Sequence, residues 1–380
     1  MAALSTAFGP FDGRIWLNCA HQGPLPRPAA EAAEQAIADK VAPARIADDA
    51  FRAVPEQLRA RLARLVGGRP EEIVLGNATS YGLNLLAQGL RLSGGDEVLV
   101  VAGDFPATVI PWLQLADGGV QVRFVGDGTA RVDAATVAAA ITPRTRVLCA
   151  SWVFSFFGHA LDLTAIGRAC HDRGVLFIVN GSQAIGARVI DVAQAPIDAL
   201  CCCGFKWLCG PYGTGFAWIA QDLLAGLDYP QPYWLSMQSG SDLNSELDYT
   251  LAQDRSGAAH DVYGTANFLS FQPWIAALDH LASFGPDTVT AHDQALVGRF
   301  LDGLDDLPYR LVSPREGPYR STLVVFSHRD PERNPAIHAA LAAAGIDTAL
   351  RSDKLRVSPH LYNGEADIDA ALTVLSRAGR

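Results

Sequence analysis

The chain has 380 residues, a formal net charge of −10 and 49% hydrophobic residues, a size that accommodates a large domain and a smaller one. It contains neither a block of basic residues nor an apolar run of the ~18–20 residues that cross a bilayer, so neither nucleic acid nor a membrane is an expected partner. It also begins without a secretory leader, and its seven cysteines, odd in number and three of them adjacent, fit neither a disulfide framework nor a metal site, so we expect reduced thiols, no metal and a cytoplasmic location.

Short apolar runs alternate with helical patterns between residues 71 and 220. The predicted strands are Ile73–Leu75, Glu97–Val101, Val120–Val125, Arg146–Val153, Val175–Asn180, Ala199–Cys203 and Gly215–Ala220. The predicted helices between them are Thr79–Leu90, Ala107–Leu115, Ala134–Ile141 and Leu163–Arg173. Near-continuous apolar strands that alternate with helices predict an α/β fold with a mainly parallel, seven-stranded sheet. A ligand of such a sheet is expected at the carboxyl ends of its strands.

The pattern changes after residue 220. Residues 221–265 are polar and aromatic without a clear period, and amphipathic helices follow at about 271–285 and 288–304. Strands at Thr322–Ser327 and Leu355–Val357 and a last helix near 365–377 complete the chain. We expect a large domain at 20–265 and a smaller α+β domain made of residues 1–19 and 266–380.

Lysine occurs only three times, and Lys206 stands in the apolar segment Cys-Cys-Cys-Gly-Phe-Lys-Trp-Leu-Cys. Burial disfavours the ammonium form of lysine and thereby promotes imine formation with an aldehyde. A lysine that extends to solvent from a strand end is the alternative interpretation.

Polar or aromatic residues also follow three other predicted strands. Asn180 ends one of them and Gln183 lies in the turn that follows, in the expected ligand position, although a simple strand-end turn is the alternative interpretation. Thr79 and Ser80 begin a helix, where backbone N–H groups bind a phosphate or where the two hydroxyls merely cap the helix. Phe105 is placed either to stack on a flat cofactor or to fill the core.

Together these residues resemble the class V aminotransferase family of fold-type I pyridoxal-phosphate (PLP) enzymes, which includes cysteine desulfurases, isopenicillin N epimerase-like proteins and kynureninase. The resemblance runs from about residue 15 to the end of the chain, and it implies a Schiff base between PLP and Lys206. It further implies that Arg356 binds the substrate α-carboxylate and that Gly264-Thr265 reaches the phosphate in the second subunit of a homodimer. The cofactor contacts that it implies are Thr79 and Ser80 to the phosphate, Phe105 over the ring, Asn180 at the ring nitrogen, and Gln183 and Ser155 at the ring O3′.

Three departures from the family pattern bear on function. Asn180 replaces an aspartate that keeps the ring nitrogen protonated, which weakens the cofactor as an electron sink. Cys203 and Phe205 replace a serine and a histidine that flank the lysine and help to bind the phosphate. The loop before Arg356 lacks the nucleophilic cysteine of cysteine desulfurases.

The departures favour a PLP-dependent lyase that cleaves the C–S bond of a cysteine conjugate, a small-molecule amino-acid substrate, by β-elimination. The resemblance also suggests a role in secondary metabolism. The alternatives are decarboxylative oxidative deamination, an epimerase or aminotransferase activity, and a PLP-fold scaffold without catalysis. His21, in a segment that covers the site mouth in relatives, is a candidate substrate contact, with Tyr212 and Arg351 as weaker candidates for the same rim.

Overall fold

The computed structural model describes residues 1–128, 131–228, 256–264 and 266–380. Its strands are β1 (Ile15–Trp16), β2 (Ile73–Gly76), β3 (Glu97–Val101), β4 (Gln121–Val125), β5 (Thr145–Ser151), β6 (Leu176–Asn180), β7 (Ala199–Cys203), β8 (Gly215–Ile219), β9 (Tyr309–Leu311), β10 (Val324–His328), β11 (Ile346–Asp347), β12 (Ala349–Arg351) and β13 (Lys354–Val357). Its α-helices are α1 (Arg27–Val41), α2 (Ala50–Val66), α3 (Thr79–Gly89), α4 (Pro106–Leu113), α5 (Ala134–Ala140), α6 (Leu163–His171), α7 (Gln221–Gly226), α8 (Phe268–Ala282), α9 (Pro286–Leu304), α10 (Asn334–Ala343) and α11 (Glu365–Ala378).

The central sheet has seven strands in the order β2-β8-β7-β6-β5-β3-β4. Strands β3 to β7 are parallel to one another, whereas β8 runs antiparallel to both β2 and β7. The predicted α/β fold with a mainly parallel, seven-stranded sheet is therefore confirmed. Strands β2, β3, β7 and β8 are buried along their whole length because helices cover both faces of the sheet, whereas the edge strand β4 is largely exposed.

Two apolar layers enclose this sheet. One packs side chains of α2, α6 and α8 against one face, with Leu58, Cys170 and Trp274 fully buried. The other packs α3 and α4 against the opposite face around Leu86 and Trp112. Burial of large side chains on both faces accounts for most of the favourable free energy of this region, at roughly 25 cal/mol per Å² of apolar surface.

A smaller α+β region surrounds an antiparallel sheet with the order β12-β13-β10-β9. Helices α9, α10 and α11 pack on it around Phe300 and Phe326. The N-terminal strand β1 pairs in parallel with β11, and Leu17 joins this core. The chain start therefore packs with the C-terminal region, while the exact domain boundaries stay a prediction.

Element bounds differ from the predicted ones by a few residues, and four helices had no predicted counterpart, namely α1, α2, α7 and α10. Helix α8 begins at Phe268 and ends at Ala282, three residues before the positions expected, although Pro273 lies inside it. Helices α1 and α2 precede the first predicted strand, and α1 buries only Ala29 and Ala36. A face lined by alanine lacks the large apolar residues that reveal a helical period. In the described part of the chain, no helix is both long and apolar enough to cross a membrane.

Candidate active site

A cavity of about 410 Å³ opens at the carboxyl edge of the central sheet. Strands β5, β6 and β7 end there at Ser151, Asn180 and Cys203, because parallel neighbours present their carboxyl ends on one edge. The start of α3 and residues of β12 and β13 complete the wall. Both the large sheet and the smaller region thus contribute to one site.

Lys206 follows β7 and extends its amine into this cavity. Its Nζ lies 5.6 Å from the ring centre of Phe105 and 5.9 Å from that of Phe205. Among the residues that the structure describes, Nζ has neither a hydrogen-bond acceptor nor a carboxylate partner. The amine is half-buried beside aromatic rings, which leaves it available for reaction with a ligand.

The lysine segment is held from the protein side by close backbone contacts. Gly23 N–H donates to Phe205 O at 2.8 Å, and Cys209 N–H donates to Lys206 O at 3.0 Å. A Cβ at Gly23 would stand 2.0 Å from Lys206 O, so only glycine permits this approach. The segment that carries His21 is therefore held against the backbone of the lysine segment.

The first turn of α3 faces the cavity with Thr79 and Ser80. Its N-cap residue is Ala78, which offers no side-chain acceptor for the free N–H groups of the turn. Thr79 and Ser80 therefore do not occupy the N-cap position, and neither hydroxyl caps this helix. Uncapped N–H groups at a helix start attract an anion such as a phosphate.

Asn180 lies on the cavity floor and is buried. Its Nδ2 donates to Thr108 Oγ1 at 2.9 Å, and its Oδ1 accepts from the Ser182 N–H at 3.0 Å and from Ser182 Oγ at 2.6 Å. These three contacts hold the amide in one orientation.

Gln183 and Ser155 lie next to each other on the wall. Gln183 Nε2 donates to Ala20 O at 2.9 Å and to Ser155 Oγ at 3.3 Å, and its Oε1 accepts from Trp207 Nε1 at 3.0 Å. Both amide hydrogens are therefore in use within the protein. The Ser155 hydroxyl accepts from Gln183 and keeps its own hydrogen for a ligand oxygen.

Arg356 on β13 enters the cavity from the smaller region. It is 3% exposed, and Nη1 donates to Ser155 O at 3.3 Å, whereas Nε and Nη2 are buried without a partner in the described structure. Burial, together with the charge of Arg351, lowers the pKa of Arg356 to about 10. A buried guanidinium with two free donors is costly unless a ligand anion satisfies them.

The rim of the cavity carries His21, Arg351 and Tyr212, all exposed. His21 Nδ1 lies 3.4 Å from Arg351 Nη2. Partial burial, and then the positive charges of Arg351, Arg356 and Lys206, lower the pKa of His21. His21 is therefore neutral at neutral pH and accepts a hydrogen bond on the ring nitrogen that lacks a proton.

The cavity brings together the predicted site residues that the structure describes, although their individual roles stay predictions. They are His21, Thr79, Ser80, Phe105, Ser155, Asn180, Gln183, Cys203, Lys206 and Arg356. Thr265 lies outside the described residues, and Gly264 lines a separate cavity with Gly76 and Gly213. No group of three metal-ligating side chains occurs in the described ranges.

Sequence reasoning missed several residues of the site. Ser151 and Ser182 flank Asn180, and Phe156 stacks near Phe105 with ring centres 6.2 Å apart. Ser182 comes two residues after the end of the predicted strand Val175–Asn180, and a polar residue in that position was a usable signal. Ser151 lay inside a strand predicted to continue to Val153, which concealed it.

A family model described as Aminotransferase class-V matches residues 44–370. The isopenicillin N epimerase of Streptomyces clavuligerus is 29% identical over 381 residues, which cover 93% of this chain and 92% of that protein. The corresponding protein of Amycolatopsis lactamdurans is 30% identical, with 96% and 95% covered. A probable cysteine desulfurase of Methanothermobacter thermautotrophicus is 30% identical over 238 residues, or 62% of this chain and 58% of that protein.

Solved structures share the fold along nearly the whole chain. A complex between the cystine C–S lyase C-DES and its reaction product, cysteine persulfide, aligns with a TM-score of 0.87, at 24% identity, over 97% of this chain and 98% of the other. Cysteine desulfurase from Thermococcus onnurineus aligns with a TM-score of 0.83 at 21% identity, over 97% and 95%. At these identities the alignments establish the architecture alone.

Proposed function

This chain belongs to the aminotransferase class-V family, whose members are PLP-dependent enzymes, and we propose that it cleaves the C–S bond of a cysteine conjugate by β-elimination. The observation that carries the proposal is the pairing of a free lysine amine with a buried, partly unpaired arginine in one cavity. An amine and a guanidinium that line one cavity suit an α-amino acid, which offers an amino group and a carboxylate a short distance apart.

The residues present fit the cofactor. The uncapped start of α3 with Thr79 and Ser80 would hold its phosphate, and Lys206 would bind its aldehyde carbon. Phe105 would lie against its ring, Asn180 at the ring nitrogen, and the Ser155 hydroxyl, which accepts from Gln183, at the ring oxygen. When bound, PLP withdraws electrons from the substrate α-carbon.

Two side chains then act on the substrate. Arg356 Nε and Nη2 bind the α-carboxylate as a bidentate pair and fix the α-carbon over the cavity floor. The Lys206 amine is the base that takes the α-proton. The half-buried position of Lys206 beside Phe105 and Phe205 limits competition by water.

The distribution of cysteines supports elimination over persulfide-forming desulfuration. All seven thiols are reduced and buried, and none lies in the segment from β11 to β13 that precedes Arg356. Cys203 is the cysteine that lines the cavity, on the floor at the end of β7. The amide of Asn180 also favours a reaction whose leaving group departs quickly, because an amide carries no negative charge to stabilise a protonated ring nitrogen.

The proposed reaction converts RS–CH₂–CH(NH₃⁺)–COO⁻ and water into RSH, pyruvate and ammonium. The test is to incubate the PLP-loaded protein with S-alkyl-cysteines and to quantify thiol, pyruvate and ammonia. We expect equal amounts of the three products, and no product from Lys206→Ala. Arg351→Lys, which keeps the rim charge, is the matched control and should retain turnover. If no member of a broad panel of cysteine conjugates yields pyruvate, the proposed elimination is refuted.

Epimerisation is the second candidate, because two isopenicillin N epimerases align with more than nine-tenths of this chain. The same incubations in D₂O discriminate between the two reactions. An epimerase returns substrate with deuterium at the α-carbon and mixed chirality, and no thiol appears. Oxygen uptake with release of carbon dioxide would instead indicate decarboxylative oxidative deamination. Accumulation of the amino form of the cofactor would indicate transamination. Absence of every product would indicate a scaffold without catalysis.

We further propose a homodimer and a cytoplasmic location. Gly264 lines a cavity that shares no lining residue with the Lys206 cavity, which is compatible with a contribution of Gly264-Thr265 to the neighbouring subunit. The seven buried, free thiols suit a reducing compartment. Sedimentation of the PLP-loaded protein would test the dimer, and a monomer with full activity would contradict it.

A further inference from the structure

A continuous row of buried polar side chains runs beneath the cavity floor. Asp104 Oδ2 accepts from the Ser151 N–H at 2.7 Å, and the Asp104 carboxylate also contacts the Ser151 hydroxyl. Ser151 Oγ lies 3.1 Å from Thr108 Oγ1, which is 2.9 Å from Asn180 Nδ2. The reaction proposed above uses neither Asp104, Ser151 nor Thr108.

The chemistry of each group sets the direction of these hydrogen bonds. An ionised carboxylate only accepts, so the Ser151 hydroxyl donates to Asp104. A hydroxyl has a single hydrogen, so Ser151 Oγ must accept from Thr108, and Thr108 Oγ1 in turn accepts from the Asn180 amide. The negative charge of Asp104 at the end of the row thus sets the direction of every hydrogen bond in the row.

The other side of Asn180 follows the same order. Asn180 Oδ1 accepts from the Ser182 hydroxyl at 2.6 Å, and Ser182 Oγ lies 2.6 Å from Thr79 Oγ1. The Ser182 hydrogen is used on Asn180, so Thr79 donates to Ser182. Both flanks therefore favour the same amide orientation, with oxygen toward Ser182 and nitrogen toward Thr108.

This orientation has a consequence in the cavity. Asn180 Nδ2 carries two hydrogens, of which one is donated to Thr108, and the second has no acceptor among the described residues. A ligand atom that meets this N–H must be an acceptor. A pyridine nitrogen fits only when it is unprotonated, since a protonated one would direct N–H against N–H.

We propose that Asp104 is a positioning residue which, through Ser151 and Thr108, holds the Asn180 amide as a donor, so that the site binds a pyridine ring with its nitrogen unprotonated. The proposal rests on PLP as the cofactor and deepens the proposed elimination, because a neutral ring is a weaker electron sink. Burial raises the pKa of Asp104 to about 6, against hydrogen bonds from Ser151 and Phe105, so the carboxylate is ionised at pH 8.

The test uses protein loaded with PLP that carries ¹⁵N in the ring and records the ¹⁵N chemical shift at pH 8. We expect the shift of a free pyridine nitrogen in the unmodified protein. In Asn180→Asp we expect a move to the pyridinium shift. A pyridinium shift in the unmodified protein would overturn the proposal. Absence of any cofactor band or label at Lys206 would instead reject the proposed function itself, so the two failures are distinguishable.

Variants of the row test the part assigned to Asp104. Asp104→Asn and Ser151→Ala should each shift the ¹⁵N signal and weaken PLP binding several-fold. The double variant Asp104→Asn/Ser151→Ala should change the ¹⁵N signal and PLP binding no more than either single variant does. The effects are not additive because each substitution breaks the same hydrogen-bonded row between Asp104 and Asn180. Ser151→Ala keeps the Ser151 N–H on Asp104 and serves if Asp104→Asn does not fold. Ser313→Ala, which removes a buried hydroxyl bonded to the Val325 N–H, is the control and should leave the signal unchanged. An unchanged signal in both row variants would remove Asp104 from the role.

Discussion

Two buried arginines should respond with opposite signs to the same substitution. Arg356 has two buried donors without a partner in the described structure, whereas Arg59 is bonded to Asp261 through Nη2 at 2.6 Å and also donates to Ile73 O. Methionine approximates the length of arginine and removes the charge. Arg356→Met and Arg59→Met therefore form a matched pair of charge deletions in buried positions.

The expected magnitudes follow from the partners. An unsatisfied buried polar group costs about 1–3 kcal/mol, so Arg356→Met should raise the free energy of unfolding of the substrate-free protein by about that amount. Arg59→Met leaves the Asp261 carboxylate buried without its cation and should lower the free energy of unfolding by roughly 3–5 kcal/mol. On the substrate side, two charge-assisted hydrogen bonds contribute roughly 3–5 kcal/mol, so kcat/KM of Arg356→Met should fall about 10²–10⁴-fold.

Urea unfolding at one fixed PLP concentration measures the first quantity, and steady-state pyruvate formation measures the second. Arg356→Lys keeps the charge and loses the fork, so it should lose activity without gaining stability. A loss of stability in Arg356→Met comparable to that in Arg59→Met would refute the reasoning. It would mean that the Arg356 guanidinium is satisfied within the protein and is not reserved for a ligand.

Three further substitutions test the framework of the site. Burial alone would raise the pKa of Glu97, but hydrogen bonds from Thr142, Arg123 and Arg144 lower it to about 2. The stabilisation of the fold by the ionised Glu97 is therefore present above pH 4.5 and is lost as the pH falls toward 2. Glu97→Gln should lower the free energy of unfolding by about 1–3 kcal/mol at pH 7, and urea unfolding should show a smaller loss of stability in acid. Burial lowers the pKa of His360, but the Asp293 carboxylate at 2.8 Å outweighs burial and raises the pKa to about 9. The stabilisation of the fold by this ion pair is therefore complete below pH 6.5 and is lost as the pH rises through 9. His360→Gln should remove this fall in the free energy of unfolding at alkaline pH, and an unchanged fall would contradict the pairing with Asp293. A Cβ at Gly215 would stand 2.6 Å from the Ala78 backbone, so Gly215→Ala should displace the start of α3. The variant should bind PLP more weakly in a titration and should lose about 1–3 kcal/mol in free energy of unfolding. Gly118→Ala is the control, because the space around Gly118 is open, and it should change neither quantity.

The sequence by itself determined the architecture of the large sheet and predicted the sheet edge at which the candidate site lies. Near-continuous apolar runs such as Val175–Asn180 indicate strands that are covered on both faces, because a half-exposed strand alternates in polarity. Polar residues at the ends of parallel strands meet on one edge, so Asn180 and Lys206 were expected near each other without coordinates. Arg356 was assigned to the same site through the family resemblance, which links residues 150 positions apart.

Only the tertiary structure decided which partner each polar group has. The pairing of β5 with β6 sets Ser151 beside Asn180, and Thr108 from α4 then joins them, although 72 residues separate Thr108 from Asn180. The same folding leaves Arg356 Nε and Nη2 unpaired while it satisfies both amide hydrogens of Gln183. Apolar burial is non-directional and leaves a periodic record in sequence, whereas a hydrogen bond depends on the distance and angle between two atoms that only the folded chain brings together.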